Sequence, residues 1–189
     1  MMKNILIIGC GLIGSSVLRA AHFKKLAKNI YIYEKSKKNI SAIKKLKIKC
    51  KIINKFNNFY INFDLVIFCT PMSEYLKIIP KINKFLTNKT IVTDVGSTKE
   101  KSSRNVKKQL KKNITWIPSH PIAGSEVSGA KYGEKNLFKN RWCVLIKDRN
   151  IKRKHFFGLK SFWKKLGARV VIMNSKEHDI IFSITSHYH

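Results

Sequence analysis

The chain has 189 residues, 44% of them apolar and 11% aromatic, enough to bury the core of one large domain, or of one domain and the start of another. No apolar stretch approaches the roughly 20 residues of a membrane span, and the glycine-broken segment 5–14 makes a poor leader, so no membrane partner and a cytoplasmic location are expected. The formal charge of +29 invites nucleic acid, but it comes from 33 Lys against 6 Arg spread along the whole chain, whereas phosphate clamps favour Arg. Lys, Asn and Ile are raised together, as AT-rich codons would raise them, so no nucleic-acid partner is expected and the field attracts small anions instead. Cys10, Cys50, Cys69 and Cys143 contain no Cys-x-x-Cys pair and are expected to be free thiols, with no metal site.

In chain order, residues 4–8 read as a buried strand, 12–27 as a helix and 29–33 as a second strand. Residues 37–46 read as a lysine-rich amphipathic helix and 49–53 as a short strand. The run 64–69 is apolar throughout, as a strand covered on both faces would be. Residues 74–85 look helical, with Pro80 bending or splitting the helix. A strand over 90–94, a helix over 99–111 and a strand over 115–117 follow, and the last leads into a loop holding His120. Strands at 142–146 and 169–173 flank a helix over 152–166, and a final helix runs from 175 to the end. This alternation implies an α/β fold with a doubly wound, mostly parallel sheet of Rossmann type over residues 1–174. Residues 175–189 are expected to begin an interdomain helix. No stop signal ends it, so a C-terminal helical dimerisation domain is expected to be missing or truncated.

The first strand runs into Gly9-x-Gly11-x-x-Gly14 and a helix, and Glu34 closes the next strand about 20 residues on, the context a dinucleotide fingerprint requires. Gly9 permits the tight turn, Gly11 lets the backbone approach a pyrophosphate and Gly14 lets helix and strand pack closely. Leu12 and Ile13 open the helix whose free N–H groups face the phosphates. Glu34 suits the ribose 2′-hydroxyl of NAD, while Lys35, Lys37 and Lys38 leave NADP open. Thr70-Pro71 ends the fourth strand, where a doubly wound sheet has its crevice.

Asp94-Val95-Gly96-Ser97-Thr98-Lys99 ends the fifth strand, and Ser97 with Glu100 fits a helix capping box. The run Ser119-His120-Pro121-Ile122-Ala123-Gly124-Ser125-Glu126 sets an imidazole at the same carboxyl edge of the sheet. Such an imidazole can take a hydroxyl proton as hydride leaves the carbon that bears it.

Residues 9–15, 94–99 and 120–129, with His178-Asp179 and Ser186-His187 near the end, occur in an order that resembles the prephenate/arogenate dehydrogenase family across nearly the whole chain. The resemblance implies a tyrosine-biosynthetic oxidoreductase that uses NAD, with NADP possible, and a small-molecule substrate. Prephenate would be decarboxylated oxidatively to 4-hydroxyphenylpyruvate. His120 would take the ring-hydroxyl proton and Ser97 would hydrogen-bond and orient it. Glu126, Ser125 and His187 would contact substrate. The resemblance also implies a homodimer for the full-length protein. The chain departs from the family pattern at Ser186-His187-Tyr188-His189, where no Pro follows, so His189 carries no role. The family's helical C-terminal domain, and the arginine that domain supplies, are expected to be missing or truncated here. Arogenate dehydrogenase, or a non-catalytic NAD-binding module, stand as the alternatives.

Overall fold

The computed structural model describes residues 1–57, 60–124 and 126–186. Its first strand sets the layering. In β1 (Met2–Ile8), Ile5 and Ile7 join one buried cluster, Leu6 and Ile8 join another, and all four are fully buried. Apolar residues on both faces require cover on both faces. On the Ile5/Ile7 side that cover comes from α1 (Leu12–Phe23), through Val17 and Leu18, and from α5 (Arg153–Lys165), through Phe156, Phe162 and Trp163. On the Leu6/Ile8 side it comes from α3 (Tyr75–Ile82) and α4 (Glu100–Gln109), through Tyr75, Ile78, Ile79 and Val106.

Five further strands, β2 (Ala27–Tyr33), β3 (Lys51–Ile53), β4 (Leu65–Phe68), β5 (Ile91–Asp94) and β6 (Thr115–Trp116), pair in parallel with β1 in the order β3-β2-β1-β4-β5-β6. This is the doubly wound order, and its direction reverses between β1 and β4, where ligand crevices form. Ile8 is in register with Phe68, and Phe68 with Asp94. The ends of β1, β4 and β5 therefore open side by side.

Some boundaries differ from expectation. The first helix stops at Phe23 rather than residue 27, because Lys25 turns the chain at φ +52° and Ala27 already belongs to β2. The segment expected as one helix over 74–85 is α3 between two 3₁₀ turns, Met72–Glu74 and Asn83–Phe85. Pro80 lies within α3 and supplies no N–H to the helix ladder. Helix α2 (Lys37–Lys45) starts at Ser36, whose hydroxyl accepts the Asn39 N–H.

The parallel sheet ends at β6. Residues 119–121, expected as loop, form a strand, β7 (Ser119–Pro121), in a separate sheet with β8 (Trp142–Ile146) and β9 (Arg169–Met173). Strand β7 runs antiparallel to β8, with His120 opposite Val144, and β8 runs parallel to β9. Pro121 is tolerated because β7 pairs on one side only. The four cysteines are free, as expected. Among the described residues no helix is long and apolar enough to cross a membrane.

Candidate active site

At the end of β1 the three glycines do different work. Gly9 adopts φ +84°, and a Cβ there would meet Thr70 Cγ2 at 2.6 Å. A Cβ on Gly14 would lie 2.1 Å from the Gly9 carbonyl oxygen. Gly11 is the contrast, because nothing lies within 4 Å of where its Cβ would be. It is the N-cap of α1, and that helix end has no side-chain cap and no acidic residue in its first turn, so Leu12, Ile13 and Gly14 begin a helix whose N–H groups face an anion-ready opening. Thr70 flanks the same loop, and its buried Oγ1 has no hydrogen-bond partner among the described residues. Pro71 then turns the chain into the 3₁₀ segment. An open backbone cradle, an uncapped helix N-terminus and an unpartnered hydroxyl fit the phosphates and sugar of a dinucleotide.

Glu34 lies at the end of β2 and is only 9% exposed. One carboxylate oxygen accepts the Cys10 N–H at 2.8 Å and the Asn39 amide at 3.2 Å, and the other accepts the Lys35 and Ser36 N–H groups at 2.8 Å each. Glu34 thus braces the glycine loop as well as facing the place expected for a ribose. Asn39 Oδ1 accepts the Ala130 N–H at 3.1 Å, and the Arg19 guanidinium donates to the Ala130 carbonyl at 3.0 Å. The chain that leaves His120 is therefore pinned, ten residues later, beside Glu34.

The far end of the crevice is built on Asp94, the last residue of β5. Lys99 Nζ lies 2.8 Å from both of its carboxylate oxygens, and neither side chain is exposed. The Tyr75 hydroxyl and the Gly96 N–H donate to one oxygen, and the Ser119 N–H donates to the other at 3.2 Å. Burial pushes the Lys99 ammonium below its ordinary range, against the opposing pull of Asp94. The Ser119 hydroxyl bonds to Thr93 and accepts the Trp163 indole N–H at 3.1 Å. These contacts fix the start of β7, and so fix His120, to the carboxyl edge of the parallel sheet.

His120 is partly exposed. Its Nδ1 lies 2.8 Å from His178 Nε2, and His178 Nδ1 lies 2.7 Å from Asp179 Oδ1. Among the described residues its Nε2 makes no hydrogen bond. Burial, reinforced by the nearby charges of Lys99 and His178, pulls the His120 imidazole down to about 3, so it is neutral at pH 7. Burial likewise holds His178 below its ordinary value, although Asp179 opposes it. Both partners stand in the first turn of α6 (Ser175–Ser186), which opens with a reciprocal cap. The Glu177 N–H donates to Asn174 Oδ1, and the Asn174 N–H donates to Glu177 Oε2.

The capping box expected at Ser97 and Glu100 does not form. Helix α4 begins at Glu100 with Lys99 as N-cap, and no side chain of its own caps it. Its free N–H groups at Lys99 and Glu100 donate instead to the two oxygens of Asp179, at 2.8 Å each. Ser97 is exposed, and the structure pairs His120 Nδ1 with His178 rather than with Ser97. Glu126 is exposed in the loop after β7, with no side-chain hydrogen bond among the described residues. Ser125 and His187 lie outside the described residues. Asp94, Lys99, Ser119, His178 and Asp179 are the residues that sequence reasoning gave no role. For the last two, the His178-Asp179 pair among the segments that carry the resemblance was the available signal.

Comparison with known proteins identifies the family. A family model described as the prephenate dehydrogenase nucleotide-binding domain matches residues 15–172. The chain is 28% identical to cyclohexadienyl dehydrogenase of Zymomonas mobilis over 185 residues, covering 98% of this chain and 63% of the relative. It is 30% identical to prephenate dehydrogenase of Lactococcus lactis over 193 residues, covering 99% and 51%. Among solved structures, prephenate dehydrogenase of Aquifex aeolicus in complex with hydroxyphenyl propionate and NAD+ superposes with a TM-score of 0.90 at 28% identity, covering 99% of this chain and 65% of that one. The chain thus spans about half to two thirds of the length of these relatives. Glycine cradle, sheet order and family match converge, and the chain belongs to the prephenate dehydrogenase nucleotide-binding domain family.

Proposed function

We propose that the chain binds NAD and takes part in the oxidative decarboxylation of prephenate to 4-hydroxyphenylpyruvate, a step of tyrosine biosynthesis. The observation that carries this is His120, a neutral imidazole on β7, which Ser119 ties to Asp94 at the carboxyl end of the glycine-fingerprint sheet, held at Nδ1 and unengaged at Nε2 among the described residues. Bound NAD+ supplies the hydride acceptor. The chain's own residues do the rest. The glycine loop and the α1 N-terminus hold phosphate, Glu34 and Thr70 take the sugar, and His120 Nε2 receives the ring-hydroxyl proton as the ring loses hydride and carbon dioxide and becomes aromatic. Ser97 and Glu126 are exposed, and in this reading they meet substrate together with Ser125 and His187. The relatives' names support prephenate, and Glu34 supports NAD over NADP. Residues 1–174 form the cofactor domain in this reading. Helix α6, whose Ile180, Ile181 and Ile184 are each about half exposed, leads toward a second domain and a homodimer. A cytoplasmic setting suits the substrate.

The test is NAD+ binding by titration, followed by NADH formation with prephenate and then arogenate. His120→Asn is expected to lower kcat by roughly 10²–10⁴-fold, the usual contribution of a general base, while the Kd for NAD+ changes less than about 2-fold. A variant that keeps its full rate removes His120 from the chemistry. Failure to bind NAD+ removes the whole reading.

A further inference from the structure

We infer that His178 is a positioning residue: with Asp179 it fixes the His120 imidazole in the tautomer that carries its proton on Nδ1 and leaves Nε2 as the bare base. This rests on the reading of His120 as the proton acceptor, and the atoms impose it in two steps. An ionised carboxylate has no proton to give, so in the 2.7 Å contact with Asp179 it is His178 Nδ1 that carries the hydrogen. A neutral imidazole has one N–H, so His178 Nε2 is then an acceptor. The 2.8 Å contact between the rings needs a donor, and that donor is His120 Nδ1. The only lone pair left on the His120 ring is at Nε2.

Each link is held. The Asp179 oxygens also take the Lys99 and Glu100 N–H groups at 2.8 Å each, at the N-terminus of α4 where a negative charge is favoured. Burial pushes the Asp179 carboxyl up, but those N–H groups and His178 outweigh it and hold the carboxyl below its usual range, so it is ionised at neutral pH. Both imidazoles are neutral there as well. Phe182 lies against the two rings, 4.9 Å from His120 and 4.5 Å from His178 between centroids, which limits their rotation. A histidine base in the wrong tautomer offers a hydrogen where it should offer a lone pair, and its chemistry fails even when its position is right.

Histidine-15N-labelled chain, studied by long-range proton–nitrogen correlation of the ring nitrogens, reads the tautomer directly and without substrate. In the wild type, His120 Nε2 is expected to resonate as an unprotonated nitrogen and Nδ1 as an N–H. His178→Gln is expected to preserve this pattern, because its amide can donate to Asp179 while its carbonyl accepts from His120. His178→Phe keeps a ring beside Phe182 but has no acceptor, so His120 is expected to move its proton to Nε2. A wild-type His120 protonated on Nε2 overturns the inference, and so does a folded His178→Phe with the wild-type pattern. If His178→Phe does not fold, the wild-type and His178→Gln spectra decide alone. An NAD+ titration of the same sample keeps the two ideas apart. Absence of binding sinks the proposed function without moving the tautomer, and a wrong tautomer sinks the relay without touching binding.

Discussion

The two ends of the crevice are built in opposite ways. The glycine-loop end is backbone. It depends on a left-handed Gly9, a Gly14 with no room for a methyl group and a Gly11 facing open space, all within six residues. The His120 end is side chain, assembled across long stretches of sequence. His120 meets His178 58 residues on, Lys99 and Glu100 meet Asp179 across 80 and 79 residues, and Ser119 meets Asp94 across 25. One end tolerates nearly any neighbours but no Cβ at two positions. The other tolerates backbone variation but depends on partners that must all be present. A phosphate can be held by geometry that glycine supplies locally, whereas aiming one nitrogen of one imidazole takes a network.

That contrast predicts where the molecule is most easily broken. The largest effect is expected at Lys99→Met. It leaves the fully buried Asp94 carboxylate with its three neutral donors but no cation, and removing one partner of a buried pair costs about 3 kcal/mol or more. For a chain of this length the melting temperature is expected to fall by roughly 6–12 °C, measured by differential scanning calorimetry. A loss under about 2 °C would mean that the buried Lys99–Asp94 pair does not hold this end of the crevice together.

Within the glycine loop, two alanine substitutions are expected to separate folding from binding. In Gly14→Ala the new methyl group meets the Gly9 carbonyl oxygen, a backbone atom that cannot swing aside, and the cost is about 2–3 kcal/mol of stability. Gly11→Ala meets nothing in the protein. Its stability is expected to stay within about 0.5 kcal/mol of wild type, while its affinity for NAD+ falls about 10-fold or more, because the methyl group occupies the space left for the pyrophosphate. Unchanged affinity in Gly11→Ala would place the cofactor elsewhere on the sheet edge.

The same contrast explains how much could be read beforehand. The fingerprint, the strand–helix alternation it starts and Glu34 were legible, because each depends on neighbours within about 20 residues. The location of His120 was legible, but its setting was not. Residues 119–121 are short and bracketed by Pro118 and Pro121, and they become a strand only because Val144 and its neighbours lie opposite. Ser97 and Glu100 carried a sound local capping pattern, yet a carboxylate from α6 took the N–H groups instead. Lys99 belongs to the 94–99 run that carries the resemblance, but nothing in its sequence neighbours marks it as the lysine buried against Asp94.

A smaller effect is expected from acid, and it too should fall unevenly on the two ends. His120, His155 and His178 all have pKa values below the ordinary value of 6.5 when folded, each chiefly through burial. Below pH 6.5 the unfolded chain therefore binds protons that the folded chain refuses, and stability drops as the pH falls from about 6.5 toward 3. Asp179, also lowered, adds loss in the same direction below its unfolded value near 3.8. Two of the three histidines and that carboxylate sit in the relay, the third histidine lies in α5, and none of these groups belongs to β1 or α1. Hydrogen exchange, expressed as protection factors between pH 7 and pH 5, is expected to show α6 and the first turn of α4 losing protection before β1 and α1. His178→Gln removes one of the refusing imidazoles and is expected to flatten part of the pH dependence in α6 while leaving β1 unchanged. If β1 and α6 instead lose protection together, the two ends unfold as one unit, and the division between a backbone-built cradle and a side-chain-built relay describes their construction but not their stability.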